Sequence, residues 1–245
     1  MSLLQIEAVS KAQTRGPSTA PVLRDVTVSV EAGRIVAVYG ERYAGKSTLL
    51  RIAAGLEAPD RGRVLFDGRD VAELDLRARD RLRREIAIAT RRPPEIPELT
   101  LEADLSLRAY GKGRRQAVAL ARAALDRAGL ANRAQDRWAD LSDTDRSFAA
   151  LAKALAHRPR LVVLDDPLAG LDVLDADRAA KLLRAAADDD GCAVLVAAPS
   201  LAAVRRFADA VYALVDGEAT AATRAEPHAP DDRPAGDVIA FPRTA

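Results

Sequence analysis

The chain is 245 residues long, enough for one α/β domain with a smaller subdomain around a sizeable buried core. Its 37 Lys and Arg against 36 Asp and Glu leave a net charge of +1, which supplies no strong field for nucleic acid or anionic lipid. A single cysteine, Cys192, and two histidines exclude an internal disulfide and a Cys/His metal cluster and fit a reducing cytosol. No run approaches the ~18 apolar residues of a membrane span, so any work at a membrane is expected to be that of a peripheral subunit.

In chain order, the first third reads as short β-runs: "LLQIEAV", "VLRDVTVSV", "GRIVAVYG" and "GRVLFDGRDV", each bounded by Gly, Pro or charge. They predict a small mixed sheet that leads into a buried strand. The charge pattern of Asp75 to Arg84 predicts a solvated helix, and "EIAIA" at 85–89 a buried strand. The prolines of "TRRPPEIPELT" exclude a regular element there. Residues 101–140 carry a helical period, clearest in "RQAVALARAALDRAGL", and Ser142 opens the next helix as an N-cap, with Asp145 three residues on as the acid of a capping box. "RLVVLDD" and "CAVLVAA" are fully apolar runs of the parallel-sheet kind, separated by the helix "DADRAAKLLRAAAD" and followed by the strand "AVYALVDGE". From about Ala219 the chain is Ala, Pro, Asp and Arg, which predicts a disordered tail over 219–245 with "VIAF" at 238–241 as its one docking point.

"IVAVYGERYAGKST" places Gly40, Gly45, Lys46 and Ser47 in the spacing G-x-x-x-x-G-K-S, after a strand and before a helix. In that setting backbone N–H groups wrap a β-phosphate, Lys46 reaches the β/γ oxygens and Ser47 ligates Mg2+. The second requirement, an acid at the end of a neighbouring strand, is met by Asp165 in "LVVLDD". The alternative reading, an ordinary Gly-rich strand-to-helix turn, carries a weight of roughly one in ten, because a chance match with these flanks is improbable.

With these motifs in this order, residues 3 to 218 resemble the ATP-binding cassette of ABC transporters. The match runs through "GERYAGKST", the proline-rich loop, the helical insert, "LSDTD", "LVVLDDP", "AGLD" and "RRFADAVYALVDGE". The resemblance implies a P-loop NTPase core of α/β class, with an N-terminal antiparallel β subdomain and a helical subdomain at about 92–158. It also implies ATP and Mg2+ as cofactors, a transmembrane permease as partner, and a second cassette in a homo- or heterodimer that sandwiches ATP. The chain would then be cytoplasmic and peripheral on the inner face of the cell membrane. Gly40, Tyr43, Ala44, Gly45, Lys46, Ser47 and Thr48 become the nucleotide-binding loop, Ser47 and Asp165 the Mg2+ ligands, Ser142 a donor acting in trans, and Asp172 of "AGLD" the residue that signals between sites.

Departures from the family pattern are concentrated at the catalytic stations. The family signature is typically L-S-G-G-Q, whereas "LSDTD" puts Asp143 and Thr144 where glycines expose amides and Asp145 in place of glutamine. A carboxylate ~5 Å from a phosphate charge costs roughly 3 kcal/mol at an effective dielectric near 20. The water-touching loop glutamine aligns by spacing with Arg91, which has no acceptor. Asp166 replaces the general-base glutamate, one methylene shorter, and Pro199 stands at the switch histidine; neither His157 nor His228 is placed to substitute. The adenine-stacking aromatic aligns with Gln13 or its neighbours, and Tyr43 occupies a usual glycine, costly where the backbone needs φ > 0.

Three functions are open to such a chain. It is the ATP-binding subunit of a transporter with weak or lost hydrolysis, a regulatory or structural cassette that stabilises a complex without turnover, or a soluble cassette acting on DNA or ribosomes. Against the last stand the absence of paired cassettes, coiled coils and basic extensions, so no nucleic-acid partner is expected.

Overall fold

The structure, a computed structural model, describes residues 2–15, 18–90, 96, 98–107 and 112–224. Strands β1 (Ser2–Arg15), β2 (Ser18–Glu31), β4 (Arg61–Phe66) and β5 (Arg69–Asp70) form a four-stranded sheet in the order β2-β1-β4-β5. Every pairing in it is antiparallel, which corrects the expected mixed sheet. The alternation that makes it amphipathic is plain in β2, where Leu23, Val26, Val28 and Val30 are buried between exposed neighbours. Asp25, at φ 51, sits where the register with β1 shifts, so one extra residue keeps the apolar set on the inner face.

The second sheet has six strands in the order β10-β9-β3-β8-β7-β6, from β3 (Ile35–Tyr39), β6 (Ile86–Thr90), β7 (Leu161–Asp165), β8 (Ala193–Ala198), β9 (Ala210–Val215) and β10 (Glu218–Arg224). All but β10 run parallel. The apolar runs are continuous because both faces are covered. Ile35, Ala37, Val162, Leu164, Val194 and Val196 face one core with the long helix α6 (Val173–Asp190), and the alternating Val36, Val38, Leu161, Val163 and Leu195 face another with helix α1 (Lys46–Ala53) and the antiparallel sheet. Cys192 lies just before β8, where burial, with Asp190 nearby, pushes its thiol up to about 12.

Helix α2 (Leu76–Glu85) starts at the predicted place, with Asp75 accepting from the Ala78 amide at 2.7 Å. Between β6 and β7 come α3 (Leu101–Leu107), α4 (Arg114–Arg127) and α5 (Asp143–Leu155). The helical period expected over 101–140 does not continue that far: α4 stops at Arg127, and Gly129 (φ 75) turns the chain into short 3₁₀ turns that bring Trp138 under the helices. Trp138 is fully buried and donates Nε1–H to Asp104 at 2.7 Å; Lys153 of α5 donates to the same carboxylate at 2.7 Å. A tryptophan, a carboxylate and an ammonium thus tie α3, the turn and α5 together. The reading of a tail from Ala219 is corrected as well, since β10 pairs with β9 as far as Arg224; "VIAF" lies outside the described residues.

Asp209 joins three elements: it accepts from the Ile35 amide at 2.7 Å, from Arg184 at 2.8 Å and from Arg34 at 3.0 Å. Burial works against its charge, yet these bonds hold its pKa below the usual carboxylate value.

Two predictions follow from these buried charges. Lys153→Met should destabilise the protein by about 3–5 kcal/mol, because it leaves the Asp104 charge buried without its cation, and adding Asp104→Leu should recover much of the loss. Urea unfolding followed by the emission of the sole tryptophan, Trp138, measures both. Because the folded pKa of Asp209 is depressed, its stabilisation is present above the unfolded carboxylate pKa, near 4, and is lost as pH falls through the lower folded value. Unfolding free energies taken from pH 7 to pH 3 should therefore fall less steeply on the acid side in Asp209→Asn than in the wild type.

Candidate nucleotide site

Parallel strands deliver their C-terminal ends to one edge, and three adjacent strands of the second sheet carry the predicted site there. In register, Tyr39 of β3 pairs with Ala198 of β8, and Ala197 with Asp165 of β7. Gly40, Pro199 and Asp166, the residues that follow these strand ends, therefore lie side by side. The loop from Gly40 then turns into α1 through Gly45 in a left-handed N-cap, φ 102. Glycine is required at both ends of the loop: a Cβ on Gly40 would stand 2.3 Å from the Leu214 carbonyl oxygen, and one on Gly45 2.6 Å from that of Val22.

Lys46 donates Nζ–H to the carbonyls of Gly40 at 2.6 Å and Glu41 at 2.7 Å, so its ammonium lies across the mouth of its own loop. Those carbonyls hold the charge where phosphate oxygens would compete for it. Ser47 donates to Asp165 Oδ2 at 2.7 Å, which brings together a hydroxyl and a carboxylate 118 residues apart. One hydroxyl, one carboxylate and phosphate oxygens are a donor set suited to Mg2+, which keeps several waters and needs no all-protein cage. No cluster of three or more His, Cys, Asp or Glu able to hold a metal occurs among the described residues. Thr48, buried on α1, accepts from Gln13 Nε2 at 3.2 Å, linking β1 to the loop.

Tyr43 has φ 70 and is 81% exposed, so the suspected conformational penalty at this position is real. A bulky L-residue in the left-handed region costs about 1–3 kcal/mol. A cavity of about 760 Å3 opens against the outer limb of the loop, bounded by Glu41 to Ala44, by Gln13 and by the turn after β9. That turn was not legible as part of the site. Its signal is Gly217, φ 83, whose carbonyl accepts from the Arg24 amide at 2.7 Å and whose close approach to Val22 leaves no room for a Cβ.

Of the remaining predicted residues, Asp166 and Pro199 stay at this strand edge, whereas Ser142 and Asp172 cap helices of their own. Ser142 is the N-cap of α5, accepting from the Asp145 amide at 3.0 Å; the Asp145 carboxylate is 3.9 Å from Arg133. It lies with the inserted helices, and among the described residues no hydrogen bond connects it to the loop. Asp172 caps α6 by accepting from the Asp175 amide at 2.8 Å. Asp166 sits at φ 52, its amide donating to the Ala197 carbonyl at 2.9 Å, and exposed Pro199 brings no titratable group to the strand edge. Arg91 and His228 lie outside the described residues, and His157 falls in the turn before β7, away from the strand ends.

Comparison with known proteins agrees with this geometry. Residues 23–169 match the family model for the ABC transporter. The lipoprotein-releasing system ATP-binding protein LolD 2 of Caulobacter vibrioides is 35% identical over 200 residues, covering 80% of this chain and 87% of that protein. LolD of Cereibacter sphaeroides is 37% identical over 209 residues, covering 84% and 93%. Among solved structures, the dimeric post-hydrolysis state of the ATP-binding cassette MJ0796, bound to ADP and Pi, superposes with a TM-score of 0.79 at 26% identity over 88% of this chain and 96% of that one. The antiparallel sheet, the parallel sheet with its phosphate loop and the inserted helices are those of this cassette, and the chain belongs to the ATP-binding cassette family of ABC transporters.

Proposed function

We propose that this chain is the ATP-binding subunit of an ABC transporter that binds Mg-ATP, hydrolyses it weakly or not at all, and works with a membrane permease and a second cassette. The observation that carries the reading is the Ser47–Asp165 hydrogen bond beside Lys46, which joins the two halves of an Mg-phosphate site. When bound, Mg-ATP would supply the phosphates that the backbone amides from Gly45 to Thr48 wrap, and Lys46 would exchange its carbonyl partners for phosphate oxygens. The cassette, read from the sequence as residues 1–218, extends to Arg224 because β10 belongs to its second sheet, and its helical part lies at about 92–158. The relatives' lipoprotein-releasing role makes a lipoprotein-releasing permease the candidate partner. The chain would work in the cytoplasm as a peripheral subunit on the inner face of the cell membrane, without nucleic acid; no described helix is long and apolar enough to cross it.

Loss of hydrolysis rests on four substitutions. Asp166 shortens the base, and a base misplaced by an ångström can cost about a hundredfold. Pro199 removes the switch group, Arg91 removes an acceptor, and "LSDTD" presents carboxylates to a phosphate held by the partner. A second reading, a regulatory or structural cassette that stabilises a complex without turnover, is favoured by the loss at all four stations, of which Pro199 supplies no titratable group.

In a head-to-tail homodimer both sites combine these defects. In a heterodimer with an intact cassette, the site built from the partner's catalytic groups and this chain's "LSDTD" loses chiefly the roughly 3 kcal/mol of the signature, about a hundredfold. Residual turnover then belongs to the partner.

Titration calorimetry with Mg-ATP should give measurable binding that Lys46→Ala abolishes; equal affinity in both would refute the site. In a complex reconstituted with a competent cassette, Asp143→Gly with Thr144→Gly and Asp145→Gln should raise steady-state phosphate release, and Asp166→Glu with Pro199→His should change it less. Robust turnover by the unmodified chain alone would overturn the account of lost hydrolysis.

A further inference from the structure

Tyr43 is the one feature of the loop that phosphate binding does not explain. Glycine would take φ 70 without strain, yet the chain places an aromatic there and leaves it 81% exposed, the only aromatic among the large exposed apolar side chains of the described residues. Tyr43 borders the cavity of about 760 Å3, whose lining also includes Gln13, Ala20 and Val22. Gln13 stands where the resemblance leads one to expect a base-stacking aromatic, and its amide is already committed to Thr48. Arg42 holds its guanidinium 5.8 Å from the Tyr43 centroid, and a guanidinium can cover only one face of a ring.

Resting on the reading of the loop as a phosphate cradle, we propose that Tyr43 is the stacking platform for the nucleotide base, an aromatic transferred from the end of the antiparallel sheet to the phosphate loop itself. The cavity is walled by the same residues, Glu41 to Ala44, that form the outer limb of the loop. The sugar and base that trail from phosphates gripped by the loop therefore have this space to occupy. Arg42 backs the ring on one face, and the exposed face takes the base. Stacking on an aromatic is base-tolerant and strengthens binding by about tenfold or more, a gain that accounts for keeping a strained residue in the loop.

The test separates base from phosphates. Calorimetry with Mg-ATP and with inorganic tripolyphosphate is run on the wild type, Tyr43→Gly, Tyr43→Ala and Tyr43→Trp. Stacking predicts that Tyr43→Gly and Tyr43→Ala weaken ATP about tenfold while tripolyphosphate affinity stays level or improves in Tyr43→Gly, and that Tyr43→Trp keeps ATP binding. Equal loss for both ligands, or a gain for both in Tyr43→Gly, makes Tyr43 a matter of loop shape or strain and overturns the proposal while leaving the phosphate site standing. A wild type that binds neither ligand overturns the proposal and the phosphate-site reading together.

Discussion

The hydrogen bond from Ser47 to Asp165 is the contact on which the site depends, because it measures whether two remote strands end at the same level. Ser47 stands in the first turn of the helix after β3, Asp165 ends β7, and β8 lies between the two strands. A slip of one residue in either register would turn Asp165 toward the opposite face of the sheet, since side chains alternate with a period of two. Both faces of these strands are packed, so a slip would also exchange the residues of the two cores. The packing of Val162 and Leu164 on one side and Leu161 and Val163 on the other thus positions the carboxylate.

Around that contact the loop combines rigid and strained backbone. Gly40 and Gly45 are confined by carbonyls that admit no Cβ, whereas Tyr43 occupies a conformation a glycine would take more easily. Strain of this kind persists where surrounding structure over-determines the backbone, and here the loop is pinned by the Val22 and Leu214 carbonyls and by the Lys46 bonds across its mouth. Lys46 has backbone carbonyls of its own loop as acceptors. The loop is consequently shaped before a ligand arrives.

The inserted helices carry a different economy. Trp138, Asp104 and Lys153 form a closed set in which one carboxylate accepts from an indole and an ammonium, so the charge is satisfied inside an apolar layer. This set orients α5, whose first turn presents Ser142, Asp143 and Asp145. The Ser142 hydroxyl oxygen accepts from the Asp145 amide, and the acids complement the positive end of the helix. What makes "LSDTD" a good helix start is its hydroxyl cap and the carboxylates at a helix N-terminus.

The sequence by itself determined the parallel strands, the phosphate loop and its acid, and the cap at Ser142, because each is written in a local signal: an apolar run, a spacing of glycines before a helix, or a polar residue before a periodic one. It also marked Tyr43 as misplaced, since the demand for positive φ follows from the loop pattern. Only the tertiary structure decided that β10 continues to Arg224, where pairing with β9 overrides a composition that reads as a tail. It alone decided that α4 ends at Arg127 so that Trp138 reaches Asp104, and that the turn at Gly217 closes the cavity beside Tyr43. The β9–β10 pairing is a tight hairpin whose small side chains carry no strand signal of their own, whereas the other two features come from contacts between segments tens to nearly two hundred residues apart, which no short window along the chain contains.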